Sequence, residues 1–504
     1  MCLRSLILAA MILVGGPLGF PAPASATTFI FDCTQPANSG SGALQTFIGA
    51  NAGPGDTVDV KGTCLGDVSL FQIAMELLGD AGVPGTIMGH VNINNLYIQV
   101  NNLTIDGTGS ADTGGGLVAG GTGANALVTN CIIENWAFAN VGIYQGAVLS
   151  LNDVTLQNSA GSALNVGQAT VNVIGGTIET SQNGNPGVNL FQGANAQFSG
   201  TTIQNNTGAG IAVYEGSTVH LGSQGPVDPS QAVNITGNQQ GGIGANDNAQ
   251  VFINQAYIHA NTGGPAITLV HSSADINAGT VSSPASVTVP TILMLRSGLQ
   301  LSGPSLTVTG SGHSNAIYAI ENSSLSMFDA TVTDNDASDP TVFFGDGSAL
   351  ISAGGNNISN SLAGGAMTLS NASTFHQHIA KQFGIPAGAD AITGAGTVQI
   401  ESNMELGTGS TTPSTWTGAI SVAQNSSFRM DGGITVTSTV KLTQASNGFF
   451  NVSNTGENIV TGGVTCPATT NPSSHVAGNT VVLLAHLGAS AVTIGNTPPQ
   501  CLGF

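Results

Sequence analysis

Between Tyr144 and Tyr214, apolar and polar positions alternate in short runs, and the pattern is written three times. The first copy sets Leu149 and Leu151, then Val154 and Leu156, then Ala163 to Val166. The second runs Ala169 to Val173, Gly176 to Ile178 and Pro186 to Leu190; the third runs Ala194 to Phe198, Thr202 to Asn205 and Ala209 to Val213. In every copy a second apolar anchor follows the first by five positions: Leu151 to Leu156, Val173 to Ile178, Phe198 to Ile203. Alternation at period two turns the apolar set to one side of a strand. One such coil cannot bury that side alone, whereas coils stacked on one another bury a continuous core. The copies start about 22 to 25 residues apart, the period of a solenoid coil. The pattern therefore predicts an all-β, single-stranded parallel β-helix with three short strands per coil. A meander of hairpins would need two-residue turns, which are largely absent.

Alignment of the copies places like on like. Thr155, Thr177 and Thr202 share a column, and Asn158 and Asn205 share the turn after it, with neighbours about 4.8 Å apart. Asparagine suits that turn because it tolerates the left-handed backbone region. Tyr144, Phe191 and Tyr214 fall in one outward column just past the last inward anchor, and Gln145, Gln192 and Glu215 fill the next. Trp136 and Glu134 lie in the coil before. Rings along a solenoid face can stack on sugar rings while amides and carboxylates take hydroxyls. Trp136, Tyr144, Phe191, Tyr214 and Glu215 are thus candidate ligand-binding residues. The alternative is that these rings pack under loops or cap the stack.

Elsewhere the pattern divides the chain into four parts. Residues 1–26 read as a signal peptide: Arg4, an apolar run from Leu6 to Val14, and the small residues Ala24, Ser25 and Ala26, with the mature chain from Thr27. Residues 27–90 form an N-terminal cap and first strands, including a helix over Ser41 to Asn51 with Leu44, Phe47 and Ile48 on one face. Residues 65 to 90 read as a loop or insertion. Coils follow over 91–460, swollen by loops at Gly222 to Ala232 and Ser272 to Leu293, and interrupted by a short helix over Thr374 to Pro386. An irregular C-terminal cap occupies 461–504, where prolines gather.

Charged residues are 6% of the chain, with 6 Lys plus Arg against 26 Asp plus Glu, while 41% is hydrophobic. That apolar share excludes a disordered chain. A net charge of −20 repels nucleic acid and anionic membrane, so neither is an expected partner. No continuous apolar run after the signal is long enough for a transmembrane helix.

Five cysteines follow the signal, consistent with an oxidising compartment. Cys33 and Cys64 bracket the start of the rod and Cys466 and Cys501 its end. Pairing within each bracket is the preferred of three connectivities; Cys131 is left as a buried thiol. Asp334, Asp336 and Asp339 form the densest acidic group, a candidate Ca2+ site whose alternative is a solvated turn. His90, His220, His259 and His271 fall at different columns, so surface histidine rather than zinc ligation is expected.

The start of the mature chain resembles a family, the secreted bacterial proteins of the right-handed parallel β-helix, or pectin-lyase-like, type. Leu44-Gln45, Ile48 and Ala50 match its opening helix. Pro54-Gly55-Asp56-Thr57 match its turn, Gly62-Thr63-Cys64 its first strand, and Asn102 to Gly107 its "LTIDG" element. The resemblance implies right-handed winding and a helix plugging the open end. It does not choose an activity, because lyases, hydrolases, epimerases and adhesins share this fold. Lyases of the family need an Arg or Lys as proton abstractor. Lys61, Arg296, Lys381, Arg429 and Lys441 share no coil column, and the family's Arg-x-Pro-x-x-Arg context is absent. The polygalacturonase motifs are absent too, and Gly312-His313-Ser314 lacks the second glycine of Gly-His-Gly. No catalytic residue carries over. Two classes remain: a non-catalytic secreted or cell-surface solenoid, glycan-binding, adhesive or structural, and a polysaccharide-acting enzyme. Two titratable groups converging on one face within three neighbouring coils would favour the second.

Overall fold

The computed structural model describes residues 26–353, apart from 72–73, 95–96, 109–113 and 224–227, and then separate, mostly strand segments as far as residue 494. The chain is a right-handed parallel β-solenoid in which each coil gives one strand to each of three sheets. The repeating unit is the one the pattern predicts. Val148–Asn152, Thr155–Gln157 and Ser162–Gly167 make one coil; Thr170–Ile174, Thr177–Glu179 and Val188–Phe191 make the next. Leu151 pairs with Val173 and Val173 with Phe198; Leu156 pairs with Ile178 and Ile178 with Ile203. These anchors point into the lumen and are buried. The threonine column is also real, with Thr155, Thr177 and Thr202 in successive register.

Corners between strands need a reversal that only the left-handed region gives in so few residues. Asn158 and Asn205 adopt it at φ 57° and 55°, as the sequence suggests. Thr180, less suited to it, is held at φ 57° by a hydroxyl that donates to Asn158 Oδ1 and accepts from the Asn158 N–H. One position further, the side chains turn inward. Asn206, Asn238 and Asn261 form a buried ladder in which each amide nitrogen donates to the oxygen of the next rung, at 2.8 and 2.9 Å. The same oxygens accept the N–H groups of Asn206 and Asn238. Such stacking closes the polar groups of a corner that water cannot reach.

Helix Ala43–Asn51 buries Leu44 and Ile48 against the first coil and sets Phe47 beside Phe29 and Phe31. Cys33 and Cys64 form a disulfide with Cα atoms 5.2 Å apart. Cys131 is a buried free thiol, whose burial pushes its pKa up to about 11. Cys466 and Cys501 lie outside the described residues.

Three stretches differ from expectation. Residues 65 to 90 hold strands Val68–Phe71, Met75–Gly79 and Gly85–Met88, already a full coil. The second anchor of this coil, Ile87, follows the first, Leu77, by ten positions instead of five, so the period is lost. Ser272 to Leu293 is mostly regular, with strands Ser273–Ile276 and Gly279–Ser282, and only the stretch between Ser282 and Ile292 bulges. Thr374–Gln377 is a strand paired with Ala349–Ala353, not a helix; the rest of that interval lies outside the described residues. The loop at Gly222 to Ala232 is as expected and carries a short 3-10 turn at Pro229–Gln231. Parallel pairing runs past residue 460, where Val481–His486 joins Asn447–Val452.

Candidate functional site

The outer face of the third sheet carries the aromatic column. Tyr144 ends strand Ala139–Tyr144 and Phe191 ends Val188–Phe191, so each points out one position past a buried anchor. Their register is not immediate: Tyr144 pairs with Gly167, and Gly167 with Phe191. Tyr214 follows Val213, the partner of Leu190, and so stacks directly on Phe191's position. All three rings are half-buried. The sequence reading missed Gly167 because a glycine carries no visible chemistry, yet its blank surface is what the next ring uses. A Cβ on Gly167 would run into the ring of Phe191, and one on Gly142 into that of Tyr144, so both rings lean across bare backbone.

Beside the rings runs a line of amides. Asn165 Nδ2 donates to the Tyr144 hydroxyl at 3.0 Å, and Asn189 Nδ2 donates to Asn165 Oδ1 at 2.8 Å. Burial pushes the Tyr144 hydroxyl above the usual phenol pKa, so it remains a neutral donor and acceptor. Gln145, Gln192 and Glu215 occupy the corner past the rings, exposed and left-handed at φ 56°, 55° and 53°. That corner continues through Asp247, His271, Arg296, Glu321 and Asp346, all at positive φ. Arg296 is not an isolated charge: its Nε lies 3.0 Å from Glu321 Oε2 and its Nη1 3.3 Å from His271 Nε2.

Trp136 does not join this face. It is 1% exposed at the inside corner, its indole 4.5 Å from the His90 ring with the planes tilted by 37°, and its Nε1 donates to the Ile105 carbonyl. A ring of that size at an inward position fills the lumen, where later coils place serine or asparagine. His90 is therefore buried too, against the expectation of a surface histidine. Glu134 stays on the second sheet and accepts from Gln157 Nε2 at 2.5 Å.

A second arrangement on the outer face of the first sheet was not visible as a motif. His220, Phe252 and Asp275 occupy one column on three successive coils. His220 stacks on Phe252 with ring centres 4.8 Å apart and planes 10° from parallel. Asp275 Oδ1 is buried without a hydrogen bond. Burial pushes the His220 pKa down and the Asp275 pKa up, so both are held toward their neutral forms. Only register could reveal them, because the loop at 222–232 stretches the spacing between His220 and Phe252.

Asp334, Asp336 and Asp339 lie at the corner after strand Thr331–Asp334. This is not the solvated turn of the alternative reading: Asp334 and Asp336 are 6% and 3% exposed. Burial first, with the nearby charges of Asp336 and Asp339, lifts Asp334 to about 6 against opposing main-chain hydrogen bonds. Asp336 is also penalised by burial, but hydrogen bonds from Ser338 and Asp339 hold it below the usual range. Among the described residues, no group of three or more His, Cys, Asp or Glu side chains is placed to hold a metal ion. No helix among them is long and apolar enough to cross a membrane.

Residues 89–223 match the family model of the right handed beta helix region. The match spans Tyr144, Phe191, Tyr214 and Glu215 and stops short of Asp275 and Asp334. No curated protein matches the chain.

Proposed function

We propose that the chain is a secreted or cell-surface solenoid that binds extracellular polysaccharide or cell-surface glycan without catalysis, in an adhesive or structural role. The observation that carries this reading is the run Tyr144–Asn165–Asn189 beside Phe191. It offers hydroxyl and amide groups in a fixed line next to half-buried rings, the mixture that sugar hydroxyls and C–H faces require. Repetition along the solenoid axis suits a polymer, since one long ligand meets several coils at once. The signal-like leader and the Cys33–Cys64 bridge support an oxidising, extracellular setting.

A second reading, a polysaccharide-acting lyase, hydrolase or epimerase, is favoured by His220 and Asp275. They are two titratable groups on one face within three coils, one a neutral imidazole and the other a carboxyl that keeps its proton longer than usual. Acid–base chemistry needs such a pair within reach of one substrate.

One experiment separates them. Mature protein from Thr27 is incubated with acidic and neutral polysaccharides while binding, reducing ends and unsaturated-uronate absorbance are followed. Binding without turnover, lost in Tyr144→Ala and Tyr214→Ala, is the expected result. Turnover that disappears in Asp275→Asn would overturn the binding reading in favour of the enzyme.

A further inference from the structure

We propose that Asp334 and Asp336 hold a divalent cation of the Ca2+ class inside the corner between the second and third sheets. In the earlier coils this corner is filled by neutral side chains: Asn206, Asn238 and Asn261 close on one another through hydrogen bonds, and Asn206 Oδ1 accepts from the Ser181 N–H. An asparagine both gives and takes, so a stack of them satisfies itself. A carboxylate only takes.

At residues 334 and 336 two carboxylates stand at that corner. Asp334 shares its inward parity with Val332 in strand Thr331–Asp334. It spends Oδ1 on the N–H groups of Gly312 at 3.1 Å and Asn335 at 2.8 Å. Asp336 spends Oδ1 on Ser338 N–H at 2.7 Å, the Ser338 hydroxyl at 2.9 Å and Asp339 N–H at 3.1 Å. The remaining oxygens, Asp334 Oδ2 and Asp336 Oδ2, are both buried and both without any hydrogen bond. The side chains that bear them are 6% and 3% exposed. Each is a carboxylate oxygen buried without a partner, a costly state that a bound cation would relieve. The turn hydrogen bonds explain where Oδ1 goes on each residue and leave Oδ2 unexplained.

A cation answers that need, and the donor set selects its type. The free donors are carboxylate oxygens, with main-chain carbonyls the natural supplement, and oxygen-only sites suit hard ions that accept flexible geometry. Gly310, in the coil below, makes the room: a Cβ there would overlap the Asp334 carboxylate. The bound ion would tie adjacent coils together where the asparagine ladder has ended. This inference is independent of the glycan face and of the His220–Asp275 column.

The test uses the full mature chain, stripped with EDTA and dialysed. Titration calorimetry with CaCl2 and thermal melting with and without millimolar Ca2+ are run on wild type, Asp334→Asn and Asp336→Asn. Wild type is expected to bind Ca2+ and melt at higher temperature with it. Asp334→Asn, which keeps an oxygen for Gly312 and Asn335, is expected to lose at least tenfold in affinity and most of the melting shift. Failure of wild type to bind or to shift overturns the proposal. Undiminished binding and shift in Asp334→Asn overturn it equally, since the ion would then sit elsewhere on this acidic chain. Should Asp336→Asn fail to fold, the Asp334→Asn comparison decides alone.

Discussion

Asparagine does two different jobs in neighbouring positions of one corner, and the difference sets what each substitution does. Asn238 is fully buried; its oxygen accepts from the N–H and side-chain amide of Asn206, and its own amide donates to Asn261 Oδ1 and the Ile203 carbonyl. Asn238→Ala strands two buried donors, and on the order of 3 kcal/mol of stability is expected to be lost in denaturant melts. Asn158→Ala removes a residue tolerant of φ 57° and the Oδ1 that accepts from the Thr180 hydroxyl, both at an exposed corner, and is expected to cost about 1 kcal/mol. Asp275→Asn has the opposite sign. The folded protein raises this carboxyl's pKa, so its contribution is most favourable when protonated and is lost as pH rises through the folded value. Replacing it by a neutral amide is expected to stabilise the protein at pH 7 and to make little difference near pH 3, measured by melting at both. The left-handed asparagines were legible in the sequence because they recur beside an apolar anchor. The ladder behind them was not, since Asn205 and Asn206 read alike although one faces water and the other the lumen.

Elements show the same division. The capping helix could be read from Leu44, Phe47 and Ile48, and the bridge from two cysteines, Cys33 and Cys64, that bracket the start of the rod. The coil at residues 65 to 90 could not, because its second anchor, Ile87, follows Leu77 by ten positions where the repeat has five. Aromatic residues in the candidate face were legible by column, but the intervening Gly167 was not, nor was the inward fate of Trp136. One corner position inward or outward decides whether a ring binds or fills. The bridge itself closes a sequence separation of 31 residues, for which loss of chain entropy predicts about 3.5 kcal/mol. Cys64→Ser is expected to lower the melting temperature and to raise amide exchange in Thr28–Asp32 and Thr57–Leu65 while the central coils keep their protection. Uniform loss of protection along the rod would show that the cap is not a separate unit.

At the scale of the molecule, stability is a sum of coils and their contacts with neighbours. Gly167 and Phe191 occupy equivalent register, so Gln168 and Gln192 begin equivalent corners. Deleting residues 168 to 191 therefore removes one coil and rejoins the chain in phase. The shortened protein is expected to fold, with an unchanged strand-type circular dichroism spectrum and a rod about 4.8 Å shorter by small-angle scattering. Because Phe191 leaves with the coil, glycan binding should weaken while the fold persists. A deletion out of phase by one residue would turn the inward anchors of the strand after the junction outward and is expected to lower the yield of soluble protein sharply.

The helix over Ala43–Asn51 closes one end of the stack, and it belongs to the end of the chain that a ribosome makes first. Each later strand pairs with one laid down roughly a coil earlier, as Leu151 with Val173 and then Phe198. A chain emerging from its N-terminus therefore never waits for a distant partner; every new segment meets a finished edge already in place. Assembly can advance like a zipper behind the point of emergence, with a single growing edge exposed at any moment. The direction of synthesis and the direction of stacking coincide.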